Sequence, residues 1–232
     1  MLKFAKTALR FALTAFVVLG MIPAAARAGD LSTYRNFQFG SDLSTVAKQA
    51  GASPSQAKVI HLRPALIQEL AWRPRPLGAS AQTEPAKEVV FTFYNGELFQ
   101  IAINYDRYQT EGMTTTDFIE AISSTYGTAT KPAAAVKVLP ASSVEQEEEV
   151  LAQWQDPAYR FDLIRSRYGP SFQLVGILKR LEAPVEAAIQ EAKRLDVREA
   201  PQREAERAAR EDEAERVKLD KARLLNKPKF RP

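Results

Sequence analysis

The chain contains no cysteine and a single histidine, His61. Disulfides, thiol catalysis and cysteine-ligated metal are excluded, and so is the acylated cysteine that anchors a lipoprotein. One histidine without a cysteine also argues against a transition-metal centre, and no motif around His61 supplies the partners of a nucleophilic triad. No EF-hand loop is present, and the acidic run Glu145, Glu147, Glu148 and Glu149 reads as a solvated segment. Gly40 with Gly51, and Gly112 with Gly127, bracket short helical stretches and act as start and stop residues rather than as a phosphate loop. No catalytic residue, metal or cofactor is expected.

Also missing is any apolar run of the roughly 20 residues that a membrane-spanning helix needs. The nearest candidate opens the chain, where Lys3, Lys6 and Arg10 precede apolar residues 11–22 and the small-x-small triplet Ala26-Arg27-Ala28. Residues 1–28 therefore read as a secretory signal, with cleavage between Ala28 and Gly29. The four cations of that segment (Lys3, Lys6, Arg10, Arg27), unaccompanied by any acid, account for the whole formal charge of +4. The remaining chain, from Gly29 onward, is formally neutral, so nucleic acid is not an expected partner. The expectation is a periplasmic or secreted protein with no transmembrane span, held by an ordinary hydrophobic core; roughly 200 residues suffice for one.

The strongest local signal present is residues 88–105, EVVFTFYNGELFQIAINY, in which two runs rich in Val, Ile and Phe flank Asn95-Gly96. A plain two-residue turn would pair Tyr94 with Glu97 and split the apolar alternation between two faces. A one-residue shift puts Val89, Phe91, Phe93, Phe99, Ile101 and Ile103 on one face with Tyr105, so a three-residue loop or a bulge just past the turn is predicted. The opposite face, with Thr92, Tyr94, Gln100, Ala102 and Asn104, is expected to be wetter.

Around this hairpin, a helix is predicted over 42–50, capped by Ser41 or Asp42 and stopped by Gly51, with a capped turn at Ser53-Pro54-Ser55-Gln56. Residues 58–62 and 65–72 read as extended on either side of Pro64, and 73–87 as a loop. Thr114 to Asp117 forms a capping box before the apolar spacing Phe118, Ile119, Ile122, Tyr126, ended by Gly127. Residues 128–149 form a linker or insertion, and 150–154, 159–165 and 172–178 are strands broken at Asp156-Pro157 and Gly169-Pro170.

From Glu182 the composition changes. Val185, Ile189, Ala192 and Leu195 give an apolar stripe, and Pro201 suits the first turn of a further helix. Between Arg198 and Arg223 eight basic residues alternate with eight acidic ones, with Glu199–Arg203, Glu206–Arg210 and Asp212–Arg216 at the favourable i,i+4 spacing. Too few apolar residues recur for a heptad seam, so a solvated single helix is favoured over a coiled coil.

The two halves match in order: a Gly-led helix, an extended run ending at Ala71-Trp72 or Gln153-Trp154, then a hairpin. The fold class read from this is α+β, a curved antiparallel sheet built from two helix-plus-meander repeats with helices on one face and a long charged C-terminal helix. The units are 1–28, 29–106, 107–181 and 182–232. The Gly-x-x-Leu-x-x-Val-x-x-x-x-Gly run of Gly40 to Gly51, followed by a meander, resembles small outer-membrane lipoproteins of the SmpA/OmlA type. Two such units in tandem resemble the β-lactamase-inhibitor-protein arrangement, which implies helices packed on one face of a curved sheet. The chain departs from the lipoproteins in lacking the anchoring cysteine.

Trp72, Trp154, Tyr94, Tyr105 and Tyr108 are the candidate protein-binding surface. The matched positions of the two tryptophans favour core roles for them, which leaves Tyr94 as the better surface candidate. The expected function is non-enzymatic protein binding or envelope structure, with another periplasmic or envelope protein as partner. The alternative is a hydrolase of cell-envelope material whose paired carboxylates meet only in the fold.

Overall fold

The computed structural model describes residues 29–74, 85–131, 149–165, 172–229 and 231. Residues 1–28, most of the 73–87 loop and of the 128–149 insertion, Glu145, Glu147 and Glu148, and the Gly169-Pro170 break lie outside the described residues. The architecture is α+β. The elements run β1 (Thr33–Tyr34), β2 (Phe37–Gln38), α1 (Leu43–Gln49), a 3-10 turn (Pro54–Gln56), β3 (Lys58–His61), β4 (Ile67–Trp72), β5 (Ala86–Tyr94), β6 (Glu97–Tyr105), α2 (Thr115–Tyr126), β7 (Glu149–Gln155), β8 (Tyr159–Arg165), β9 (Phe172–Leu178) and α3 (Lys179–Asn226). β1 and β2 form a small ribbon, and the remaining strands form one antiparallel sheet in the order β3-β4-β5-β6-β9-β8-β7.

The central hairpin reconciles its turn with its apolar pattern through a bulge. Asn95 and Gly96 both have positive φ, 49° and 84°, as a tight primed turn requires, and Tyr94 pairs with Glu97. The register then shifts: Phe93 opposes Leu98 while Thr92 opposes Gln100, leaving Phe99 as the extra residue. Beyond it Phe91 faces Ile101 and Val89 faces Ile103, on the side that becomes the main core.

That main core is closed by the N-terminal segment, α1 and α2. Leu31, Tyr34, Phe37 and Phe39 are buried, Phe37 lies 4.5 Å from Phe91 between ring centroids, and Val46 and Ala47 are the buried side of α1. From α2, Phe118 stacks on Phe172 at 4.1 Å and Tyr126 on Phe161 at 4.6 Å. Gly176 of β9 makes this packing possible: a Cβ there would lie 2.5 Å from the Phe161 ring and 2.8 Å from that of Phe39.

The opposite face corrects an expectation. Thr92, Gln100 and Ala102 are buried, and Ala102 belongs to a second apolar cluster with Val150, Ile164, Val175 and Ile177. Sequence alternation marks this face as the more polar one, but the cluster that Ala102 joins is built from β7, β8 and β9, which a single hairpin does not reveal.

Both helix starts match their sequence signals. Asp42 caps α1 by accepting from the Thr45 amide at 3.0 Å, and Thr114 and Asp117 form a complete capping box, with Asp117 Oδ2 accepting from the Thr114 amide at 2.7 Å. The C-terminal helix departs from expectation, since one continuous helix passes through Pro201 instead of a further helix beginning there. Pro201 leaves the Val197 carbonyl without its donor, a loss of roughly 3 kcal/mol in a helix interior. Val197 is exposed, so water can reach that carbonyl, and Arg203 donates to the neighbouring Asp196 carbonyl at 2.8 Å.

Unfolding measurements check the core glycine and the α2 cap. Gly176→Val is expected to destabilise the protein by about 1–3 kcal/mol through overpacking against Phe161 and Phe39, read from the urea midpoint. The Thr114 backbone and hydroxyl hydrogen bonds hold the Asp117 carboxyl below its ordinary value of 3.8. Its contribution is therefore complete above that value and lost as pH falls through the lower folded one. Between pH 5 and 2 the thermal midpoint of the parent protein should fall more steeply than that of Asp117→Asn.

Candidate functional site

Strand registers place a row of side chains across all seven strands of the main sheet, on the face opposite Phe91 and Phe161. Lys58 opposes Glu69, Glu69 opposes Thr92, Thr92 opposes Gln100, Gln100 opposes Ile177, Ile177 opposes Arg160 and Arg160 opposes Gln155. Asp162 lies two residues beyond Arg160 and so on the same face, with Gln153 as its cross-strand neighbour. Polar groups in the middle of this row are desolvated, whereas Lys58 and Gln155 at its ends are exposed. Burial raises the Glu69 carboxyl, opposed by Lys58, and Thr92 Oγ1 and Gln100 Oε1 are buried without a hydrogen-bond partner.

The root of α3 is fixed against this row. Lys179 donates its amide to the Ala158 carbonyl at 2.9 Å and its Nζ to Gln155 Oε1 at 2.8 Å and the Asp156 carbonyl at 2.6 Å. Arg180 pairs with Glu97 at the tip of the central hairpin. Arg160 is the hub: its Nη1 and Nη2 donate to the two Glu182 oxygens at 3.1 and 2.6 Å, and its Nε donates to Asp162 Oδ2 at 2.9 Å. Gln153 Nε2 donates to the other Asp162 oxygen at 2.7 Å. Burial pushes the Asp162 carboxyl up, opposed by these donors, whereas Arg160 is held above its ordinary value because the pairs with Glu182 and Asp162 outweigh its own desolvation.

Beyond this clamp the helix buries Leu181, Val185, Ala188, Ile189 and Ala192, one face at helical spacing. It then passes β3, where Arg63 pairs with Glu199, and Arg203 turns back to Asp196 Oδ1 at 3.0 Å. A groove of about 250 Å³ lies between the two, lined by Val59–Arg63 of the β3 edge and by Ala192, Leu195, Asp196 and Arg203 of α3. His61 is half-buried in that lining. From Pro201 to Lys229 every residue is exposed, Val217, Leu219, Leu224 and Leu225 included. Of the i,i+4 pairs expected there, Glu206–Arg210 forms at 3.7 Å, while Glu199 and Arg203 bind other partners and Arg216 meets Glu213 at 3.3 Å.

The aromatic candidates do not converge on one patch. Trp154 is 1% exposed and donates Nε1 to the Gly127 carbonyl at 3.0 Å. Trp72 is half-buried against Phe37 and Phe91, and Tyr105 against Phe118. Tyr94 is half-buried beside the turn, at the other end of the hairpin from Tyr105. Tyr108 is 70% exposed, with the Arg107 guanidinium 4.7 Å from its ring centre. Arg160, Asp162 and Glu182 were not singled out in the sequence. Their only signal was charge at alternate positions of the apolar run 159–164, since the partner Glu182 sits on a different element.

Among the described residues no group of three or more His, Asp or Glu is placed to hold a metal ion, and no helix is long and apolar enough to cross a membrane. Asp162 and Glu182, which do approach from different elements, are both engaged by Arg160. Arg160→Met should cost about 3–5 kcal/mol by leaving Asp162 buried and unpaired, whereas replacing Arg160, Asp162 and Glu182 together by Met, Leu and Leu should recover most of it; urea unfolding measures both. No protein-family model, curated protein or solved structure matches the chain.

Proposed function

We propose that the protein is an exported, non-enzymatic binding or envelope-structure module whose working surface is the free part of α3. The observation that carries this reading is the contrast along one helix. Its first four turns are clamped through Lys179, Arg180, Glu182 and the buried stripe from Leu181 to Ala192, and from Pro201 to Lys229 every side chain is exposed. Residues 201–226 extend roughly 40 Å at 1.5 Å per residue. A solvated helix with balanced charges is soluble without a partner, yet it displays Val217, Leu219, Leu224 and Leu225 near its far end, and apolar anchors on a helix suit docking into a groove of another protein. Export is supported by the charge, apolar core and small-x-small order of residues 1–28, and places the partner in the periplasm or envelope.

The tandem origin of the sheet belongs to the same proposal. Its support is the mirror order β4-β5-β6 against β9-β8-β7, with β3 beyond β4 on one side and the Thr130–Gln153 bridge beyond β7 on the other. The hydrolase alternative is weakened by the engagement of Asp162 and Glu182 with Arg160.

A photo-crosslinking residue at Leu224 or Val217 is expected to capture a discrete envelope protein in intact cells. A chain ending at Arg203 should keep its thermal midpoint and lose that protein from a pull-down. Retention of the same partner by the shortened chain would move the working surface to the sheet domain and sink the proposal.

A further inference from the structure

We infer that Gly29 is the seat of the processed N-terminus: its α-ammonium, created by cleavage after Ala28, docks at the C-terminal end of α2 and completes the fold. The inference rests on the proposed export of the chain. A peptidase of the signal-cleaving class would hydrolyse the Ala28–Gly29 bond, water giving its hydroxyl to the Ala28 carbonyl and a proton to the Gly29 nitrogen.

Several independent features converge on this position. A Cβ on Gly29 would lie 2.6 Å from Tyr126 Cα and closer still to the Thr125 carbonyl oxygen, so only glycine can lie this close to the end of α2. The obstacle is helix backbone, which cannot step aside as a flexible side chain would. The next residues are built into the core at once. Asp30 Oδ1 accepts from the Ser32 amide at 2.8 Å, Leu31 is 4% exposed, and the Tyr126 hydroxyl donates to the Thr33 carbonyl at 3.2 Å. Leu31 is the second residue after Gly29, so this end of the chain is a working part of the domain.

The electrostatics also fit. The last turn of a helix carries about half a negative charge on its unpaired carbonyls, and a cation there stabilises it. α2 has no basic residue in its last turn, and its Gly127 cap satisfies the Ser123 carbonyl. The titratable and charged groups around this end are Asp30, Tyr34 and Arg35 from the N-terminal segment and Tyr126 from α2 itself. Asp30 and the carbonyls attract the ammonium, Arg35 opposes it, and the Tyr126 phenol is kept neutral by burial. An α-amine ordinarily titrates at about 7.7–8.0. Docking raises that value, so the stabilisation is complete below the ordinary pKa and is lost as pH rises through the folded one.

Burial of Leu31 also sets an order of events. A peptidase needs the residues flanking its cleavage point extended and accessible, so cleavage comes before Gly29 and Leu31 settle on α2 and Phe37 and Phe39 close the core.

The test uses protein exported from cells. Its intact mass should correspond to a chain beginning at Gly29; a start at another residue overturns the cleavage position and with it the seat, whereas a chain that is not exported or still begins at Met1 overturns the export reading, both without any stability measurement. Thermal unfolding then examines the seat. Converting the N-terminal glycine to its α-oxo aldehyde by transamination, chemistry selective for α-amines, should lower the midpoint at pH 6.5 by about 1–3 °C and leave it unchanged at pH 10. Gly29→Ala should lower it at both pH values. A chain that starts at Gly29 yet unfolds identically with and without its amine at pH 6.5 overturns the ammonium seat, and a Gly29→Ala protein as stable as the parent overturns the packing on α2.

Discussion

The antiparallel pairing of β6 with β9 is the contact on which the rest of the molecule depends. It joins β3-β4-β5-β6 to β9-β8-β7 and so makes one sheet with two buried faces from two pieces distant in sequence. With no cysteine to staple it, the domain is held by the apolar residues this pairing aligns: Phe91, Ile101, Phe161 and Trp154 on one side, Ala102, Val175 and Ile164 on the other. Gly176 lies on the joint itself, opposite Ile101, and its missing side chain admits the rings of Phe161 and Phe39. A tight steric constraint of the core therefore coincides with the seam.

Closing the sheet creates a second requirement. The face opposite Phe91 carries Glu69, Thr92, Gln100, Arg160 and Asp162, so it cannot be covered by an ordinary apolar helix. α3 meets it with Glu182 placed to share Arg160 with Asp162, while Leu181, Val185 and Ile189 of its apolar stripe join the main core cluster. A buried, hydrogen-bonded ion network contributes little net stability over an apolar equivalent, but it tolerates few alternative registers. For a helix that continues far beyond the domain, register at the root decides where the far end points, and the Arg63–Glu199 pair constrains it again where the helix leaves the sheet.

The same logic applies to the first described residues. Gly29 to Phe39 crosses the main core, pinned by Leu31, Phe37, Phe39 and the Tyr126 hydroxyl. The first described residues and the root of α3 are thus both tied to the sheet domain through specific contacts, the former apolar and ending at α2, the latter ionic and beginning at β8. The segment Gly29 to Phe39 packs into the core, whereas the chain from Pro201 to Lys229 is exposed throughout.

Much of the local structure was legible because its causes are local. Asp42, Ser53, Thr114 and Asp117 cap their helices through bonds spanning two or three residues, and Asn95-Gly96 adopts the left-handed backbone that its turn demands. The bulge at Phe99 was inferable too, since a period-two apolar pattern and a two-residue turn conflict unless one residue is extra. Local rules erred at Pro201, which lies inside one continuous helix instead of beginning a further one, and at Thr92 and Gln100, which are buried on a face whose apolar cluster draws on strands distant in sequence. The Arg160 hub, the neighbour relation of β6 and β9, and the closeness of Gly29 to Thr125 join residues separated by tens of positions, for which a single sequence has no period or spacing. Sequence by itself determined caps, turns and the apolar faces, because these arise from backbone sterics and hydrogen bonds within a few residues. Only the tertiary structure decided which charges meet, which glycines are indispensable and which stretch of helix stands free, because burial and electrostatic pairing are properties of neighbours in space.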